Sequence, residues 1–136
     1  MNKHKIHIIG AEDNEALLLI EEELPEACRL ICEYREKSIS AEADDYFEAF
    51  CKIRERLENE GIIPFCYGTS LDVYPSRMSR QMSKGKAAYR LEMGKSARRE
   101  NIVKIFDKGP DVIPSKVQAQ REYYEEWLCS LTGLPG

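Results

Sequence analysis

Apolar and polar residues alternate over the first forty positions and recur at three- and four-residue spacings further along the chain. Residues 3–9 carry β-branched Ile6, Ile8 and Ile9 and stop at Gly10, which predicts a strand. Residues 13–23 hold the run Ala16, Leu17, Leu18, Leu19 and Ile20, which suits a buried strand or a short acidic helix. Periodicity does not arbitrate over so short a run. Pro25 interrupts whatever forms there. Leu30, Cys32 and Tyr34 then alternate with Ile31, Glu33 and Arg35 as a strand does, and Ile39 and Ala41 continue it or return beside it.

Residues 44–59 make the best helix. Tyr46, Phe47, Phe50, Ile53 and Leu57 share a face, Asp44 is placed to cap the start, and Gly61 stands where a left-handed stop is wanted. Residues 62–67 read as a buried strand, bent or edge-placed by Pro64. A loop follows, with Pro75 and Ser76 opening a short helix through Met82; residues 86–93 read as another strand. Ser96 is expected to cap a helix over 97–106, with Ile102, Val103, Ile105 and Phe106 as its apolar face. Ser115 is expected to cap the last helix, striped by Val117, Tyr124, Trp127, Leu128 and Leu131 and closed at Thr132 and Gly133. The pattern predicts an α+β fold: one domain over residues 1–136, with a mixed or largely antiparallel sheet against about three helices.

At 136 residues with 43% apolar and 32% charged positions, the chain supports one packed core. The longest apolar run, residues 16–20, is far short of the roughly 18 needed to span a membrane. The first ten residues lack the apolar segment of a secretory signal, so a cytoplasmic location is expected. Five cysteines, an odd number, argue against a disulfide framework. Cys28 and Cys32 on one strand would lie roughly 13 Å apart, too far to bridge.

The net charge of −4 hides a division. Residues 1–60 carry sixteen acids against eight bases, whereas residues 61–136 carry eight acids against twelve bases. Nine bases fall between Arg77 and Lys104, opposed there only by Glu92 and Glu100. If this segregation persists in three dimensions, it leaves separate electropositive and electronegative surfaces. Carboxylates from the first sixty positions meeting the bases after Pro75 would remove that premise.

Familiar catalytic patterns fail on inspection. Cys66 at a strand end, followed by Tyr67, Gly68, Thr69 and Ser70, has the outline of a phosphate cradle. The sixth position after the cysteine, where an arginine should bind phosphate, is Asp72. His4 and His7 are the only histidines, and three-residue spacing sends them to opposite faces of a strand; no cysteine pairs have zinc spacing. Gly68, Thr69 and Ser70 do not form a nucleophile elbow, and no dinucleotide or Walker-type loop is present. No metal or cofactor is implied.

The basic stretch is the sharpest remaining feature. Within a candidate site spanning residues 67–86, Tyr74, Ser76, Arg77, Arg80, Lys84 and Lys86 are the residues expected to meet a phosphate or carboxylate, with the amides after Ser76 contributing. Arg90 and Tyr89 extend the same stretch. Nucleic acid is disfavoured by the acidic balance and by the lack of a recognisable binding module.

From about residue 41 onward, the chain resembles a family of small bacterial proteins of unassigned function. The likeness rests on Asp44-Asp45-Tyr46-Phe47, Cys66-Tyr67-Gly68, Val73-Tyr74-Pro75-Ser76 with Met78-Ser79-Arg80, and Ile105-Phe106-Asp107. It covers about two thirds of the chain, implies a bacterial cytosolic protein, and assigns no reaction, cofactor or partner.

Two functions follow as expectations. The first is non-catalytic protein binding, in which an acidic surface at Asp13, Glu15 and Glu21 to Glu23 engages a basic protein, as small adaptors and toxin-neutralising immunity proteins do by analogy of charge and size. The second is a small anionic-ligand site, with or without catalysis, where Tyr74, Ser76, Arg77 and Arg80 converge. Neither reading predicts an oligomeric state.

Overall fold

In the computed structural model, which describes residues 2–10 and 15–132, the N-terminal runs form a four-stranded meander. Its strands are β1 (Lys3–Ile9), β2 (Ala16–Glu23), β3 (Cys28–Tyr34) and β4 (Lys37–Ala43). The ambiguous run is therefore a strand from Ala16 onward; Asp13 lies outside the described residues. Its neighbours decide the outcome. Leu17, Leu19 and Glu21 alternate inward between β1 and β3, Ile20 is buried as well, and both backbone edges are paired.

The return strand is set by a two-residue turn, with Arg35 at φ 46° and Glu36 at φ 60°. Two successive left-handed residues match the natural twist of a tight hairpin, although neither residue is glycine or asparagine. A short β5 (Ile63–Pro64) pairs with the other side of β1, and the sheet order is β4-β3-β2-β1-β5 with every pairing antiparallel. Proline lacks a backbone N–H, which suits Pro64 to this edge position. The buried strand expected over 62–67 shrinks to these two residues.

Helix α1 (Tyr46–Glu58) packs against β3, β4 and β5, burying Phe47, Phe50, Ile53 and Leu57 completely. Each such side chain contributes roughly 1.5–3 kcal/mol relative to exposure. Its cap is Asp45 rather than Asp44: the Asp45 carboxylate accepts from the Glu48 N–H at 2.8 Å. Gly61 follows the helix at φ 73°, as its position predicts.

A second antiparallel sheet, β6-β7-β8, comprises β6 (Val73–Tyr74), β7 (Ala87–Arg90) and β8 (Ile102–Lys104). Between β6 and β7 lies α2 (Arg77–Met82), whose cap Ser76 accepts from the Ser79 N–H at 3.0 Å. The helix expected over 97–106 does not form. One 3₁₀ turn at Arg99–Asn101 leads into β8, which pairs with β7. The clustered β-branched residues Ile102, Val103 and Ile105 fit a pleated strand, while 95–100 are exposed and offer no apolar face for a helix to bury.

The last helix, α3 (Val117–Thr132), packs on β6 and α1. Ser115 does not serve as the expected cap: its hydroxyl donates to the Thr69 carbonyl, and Glu58 of α1 accepts from the Val117 N–H at 2.8 Å. Leu128, expected in the buried stripe, is exposed, whereas Val117 and Trp127 are buried. Gly133 lies outside the described residues. Both sheets, α1 and α3 contribute to one hydrophobic core, so the α+β expectation holds with three α-helices among the described residues.

Candidate functional site

The basic stretch folds against the far end of the N-terminal sheet, where β2 runs out through Glu21, Glu22 and Glu23. Arg80 on α2 donates to Asp45 at 2.9 Å and lies 3.1 Å from Glu48. Its guanidinium also sits over the rings of Phe47 (5.4 Å) and Tyr74 (5.6 Å). Lys84 pairs with Glu23, and Lys86 pairs with Glu21 at 3.2 Å. Gly85, at φ 76°, allows this closeness: a Cβ there would stand 2.7 Å from the Asp45 carboxylate. A backbone bond from the Tyr46 N–H to the Lys84 carbonyl, at 2.8 Å, ties the α2–β7 turn to the start of α1.

At this end of the molecule these pairs overturn the expected segregation of charge. Three bases after Pro75 are matched by carboxylates from the first sixty residues. The acidic N-terminal face is neutralised as well: Glu15 pairs with Arg35 and Glu22 with Arg29, besides the partners of Glu21 and Glu23. Arg90 turns to Asp111 and, at 3.9 Å, Asp72.

Of the residues expected to gather around an anion, Tyr74 is buried in the core, its ring stacked 4.1 Å from Tyr124. Burial pushes its phenol pKa up. The Ser76 hydroxyl is occupied as the α2 cap. Arg77, Arg80 and Lys84 do share an open concavity of about 560 Å³ with the Leu24–Pro25 turn, Asp44 and Asp45, but Tyr74 and Ser76 do not line it. Lys86 faces two other concavities. Arg77 is exposed and, among the described residues, has no carboxylate within ion-pair distance. Beside it, Met78 and Met82 are 65% and 80% exposed, one helical turn apart.

Cys66 is fully buried, and that burial pushes its thiol up to about 12, leaving no thiolate for nucleophilic chemistry near neutral pH. Asp72 accepts from the Ser70 hydroxyl at 2.7 Å. His7 is exposed, whereas His4, on the core-facing side of β1, binds Glu21 at 2.5 Å.

Arg54 was absent from every motif above. It is 1% exposed on α1 and donates to the carbonyls of Gly68 and Ser115, both at 3.0 Å, and to Gln120 Oε1 at 2.6 Å. The Gln120 amide in turn donates to the carbonyls of Gly68, Ser70 and Val73. Together they fix the loop after Cys66. The signal was present in the spacing: Arg54 lies seven residues after Phe47 and four after Phe50, on the same buried face.

Among the described residues, no group of three or more His, Cys, Asp or Glu side chains is placed to hold a metal ion, and no helix is long and apolar enough to cross a membrane. In comparison with known proteins, the chain matches no family model and no curated protein sequence.

Proposed function

We propose that this chain is a non-catalytic binding protein that docks a partner protein on α2, with Met78 and Met82 as the apolar centre of contact. One observation carries the reading: two large, adaptable thioether side chains stand exposed on one face of a short helix. Arg80 anchors α2 beneath them to Asp45 and Glu48. A surface held in place before binding loses less entropy on association. Arg77, exposed and next to Met78 in the chain, supplies a polar neighbour to this apolar pair.

The partner required is a protein with an apolar ridge, and an acidic group beside that ridge would meet Arg77. A basic partner attracted to the N-terminal acids loses its support, since Glu15, Glu21, Glu22 and Glu23 already have bases of their own. A small anion held by residues 67–86 is similarly weakened, because Arg80, Lys84 and Lys86 are paired.

The test compares the wild-type chain with the Met78→Ala/Met82→Ala double variant as immobilised bait, after matching their thermal melts. The expected result is a protein retained by the wild type at about 0.5 M salt, where surface ion pairs are screened, and lost from the double variant. Identical recoveries from both baits, or retention that disappears at moderate salt, would refute the proposal.

A further inference from the structure

Strand β2 is apolar on both of its faces. Leu17 and Leu19 turn into the core, while Leu18 and Ile20 turn the other way, beside Ile31 of β3. A continuous apolar run suits a strand covered on both sides. Yet Leu18, Ile20 and Ile31 belong neither to the core cluster nor to the partly buried residues packed against it. Ile20, 9% exposed, is crowded from the sides by its own sheet, with Lys3 and Ile31 directly opposite it on the neighbouring strands. We infer that a second copy of this chain covers the outer face of the N-terminal sheet, giving a two-fold symmetric dimer of stacked sheets.

The register specifies how the copies meet. Across the outer face one row runs Lys3, Ile20, Ile31 and Ser40, and the next runs Lys5, Leu18, Glu33 and Ser38. Lys5 and Glu33 are both exposed and, among the described residues, neither has an ion-pair partner. They flank Leu18 two strand spacings apart, about 10 Å, too far for an ion pair within one chain.

A two-fold axis along the strands, midway between β2 and β3, exchanges those strands between copies. It sets Ile20 over Ile31 of the second copy, Glu22 over Arg29, and Lys5 beside Glu33, each pair occurring twice. An axis across the strands would instead stack β1 on β1 and set Lys3 and Lys5 against their own images, which repel. Four strands about 4.8 Å apart and about 20 Å long give a footprint of roughly 400 Å² per chain, at the low end of interface sizes. The dimer is therefore weak and concentration-dependent.

Sedimentation equilibrium of the full-length chain, from about 5 to about 500 µM, is expected to show monomer and dimer with a Kd on the order of 100 µM. Lys5→Glu and Glu33→Lys should each weaken the dimer by about tenfold or more, because each sets like charges against each other twice. The Lys5→Glu/Glu33→Lys double variant should return to within about threefold of the wild type, a rescue that a merely structural lesion would not give. Met78→Ala/Met82→Ala should leave the dimer unchanged. A chain that stays monomeric throughout this range would overturn the inference. So would a dimer indifferent to Lys5→Glu, or a charge exchange that restores nothing, since association would then use another surface. Because the methionines lie on α2, away from this sheet face, either outcome is independent of the protein-docking test.

Discussion

Replacing Arg54 with methionine examines what holds the loop after Cys66. The guanidinium is buried on α1 and, among the described residues, has no carboxylate bonded to it; burial holds its pKa below the usual arginine value. Two opposing effects must be weighed. Methionine fits an apolar site without the desolvation cost of a buried ion, which amounts to several kcal/mol. Against this, the Ser115 carbonyl and Gln120 Oε1 each lose the donor that Arg54 provides, and an unsatisfied buried acceptor costs about 1–3 kcal/mol. The Gly68 carbonyl is spared, because Gln120 still donates to it.

Bonds made by a charged donor are worth more than neutral ones, roughly 1.5–3 kcal/mol each, and three of them disappear. Weighed against the relief of desolvation, a net loss of about 2–4 kcal/mol is expected, lowering Tm by roughly 10 °C for a chain of this size. Circular-dichroism melts and urea midpoints measure it. Amide exchange should accelerate over residues 66–73 before the N-terminal sheet is affected. Arg54 and Gln120 share a partner and bond each other, so Arg54→Met and Gln120→Ala should be non-additive by at least about 1 kcal/mol. An Arg54→Met protein as stable as the wild type, with unchanged exchange in that loop, would show that packing alone holds it.

Two further outcomes follow from the backbone and from buried phenols. Glu36 sits at φ 60°, so Glu36→Gly should relieve a left-handed penalty of roughly 1 kcal/mol and raise the urea midpoint; a lower midpoint would mean that glycine's flexibility in the unfolded chain outweighs the strain. Burial pushes Tyr34 and Tyr46 up to about 12, so the folded chain keeps protons that the unfolded chain releases from about pH 10. Their stabilising contribution is intact below pH 10 and lost as pH rises towards 12. Alkaline titration should therefore show cooperative unfolding accompanied by late phenolate absorbance at 295 nm. Gradual ionisation from pH 10 without unfolding would contradict this.

The elements best read in the sequence were those whose side chains report a single face. The period-two pattern of Cys28, Leu30, Cys32 and Tyr34 and the helical spacing of Phe47, Phe50, Ile53 and Leu57 match what is buried. The residues around 97–106 misled because four apolar residues within five positions satisfy a helix face or a strand nearly equally well. Pairing with β7 decided the matter, and that pairing is non-local. Ser115 likewise has the chemistry of a cap, but the Thr69 carbonyl and Glu58 compete for the same roles from distant parts of the chain. Of the candidate site, the short helix and its Ser76 cap were legible, because capping is local. Which partners its bases would find was not.

The charge pattern is the most instructive failure. Counting acids and bases along the chain treats sequence distance as spatial distance, whereas an antiparallel meander carries the end of β2 to the same edge that α2 and β7 later reach. Glu21 and Lys86 are 65 positions apart and 3.2 Å apart in space. Clusters of opposite sign attract each other within the chain before any partner is present, so a strongly divided sequence favours internal neutralisation wherever the topology permits contact. What remains for recognition is the surface that this pairing leaves over. Here that is Arg77 beside two exposed methionines, a pairing that does not stand out from the charge totals.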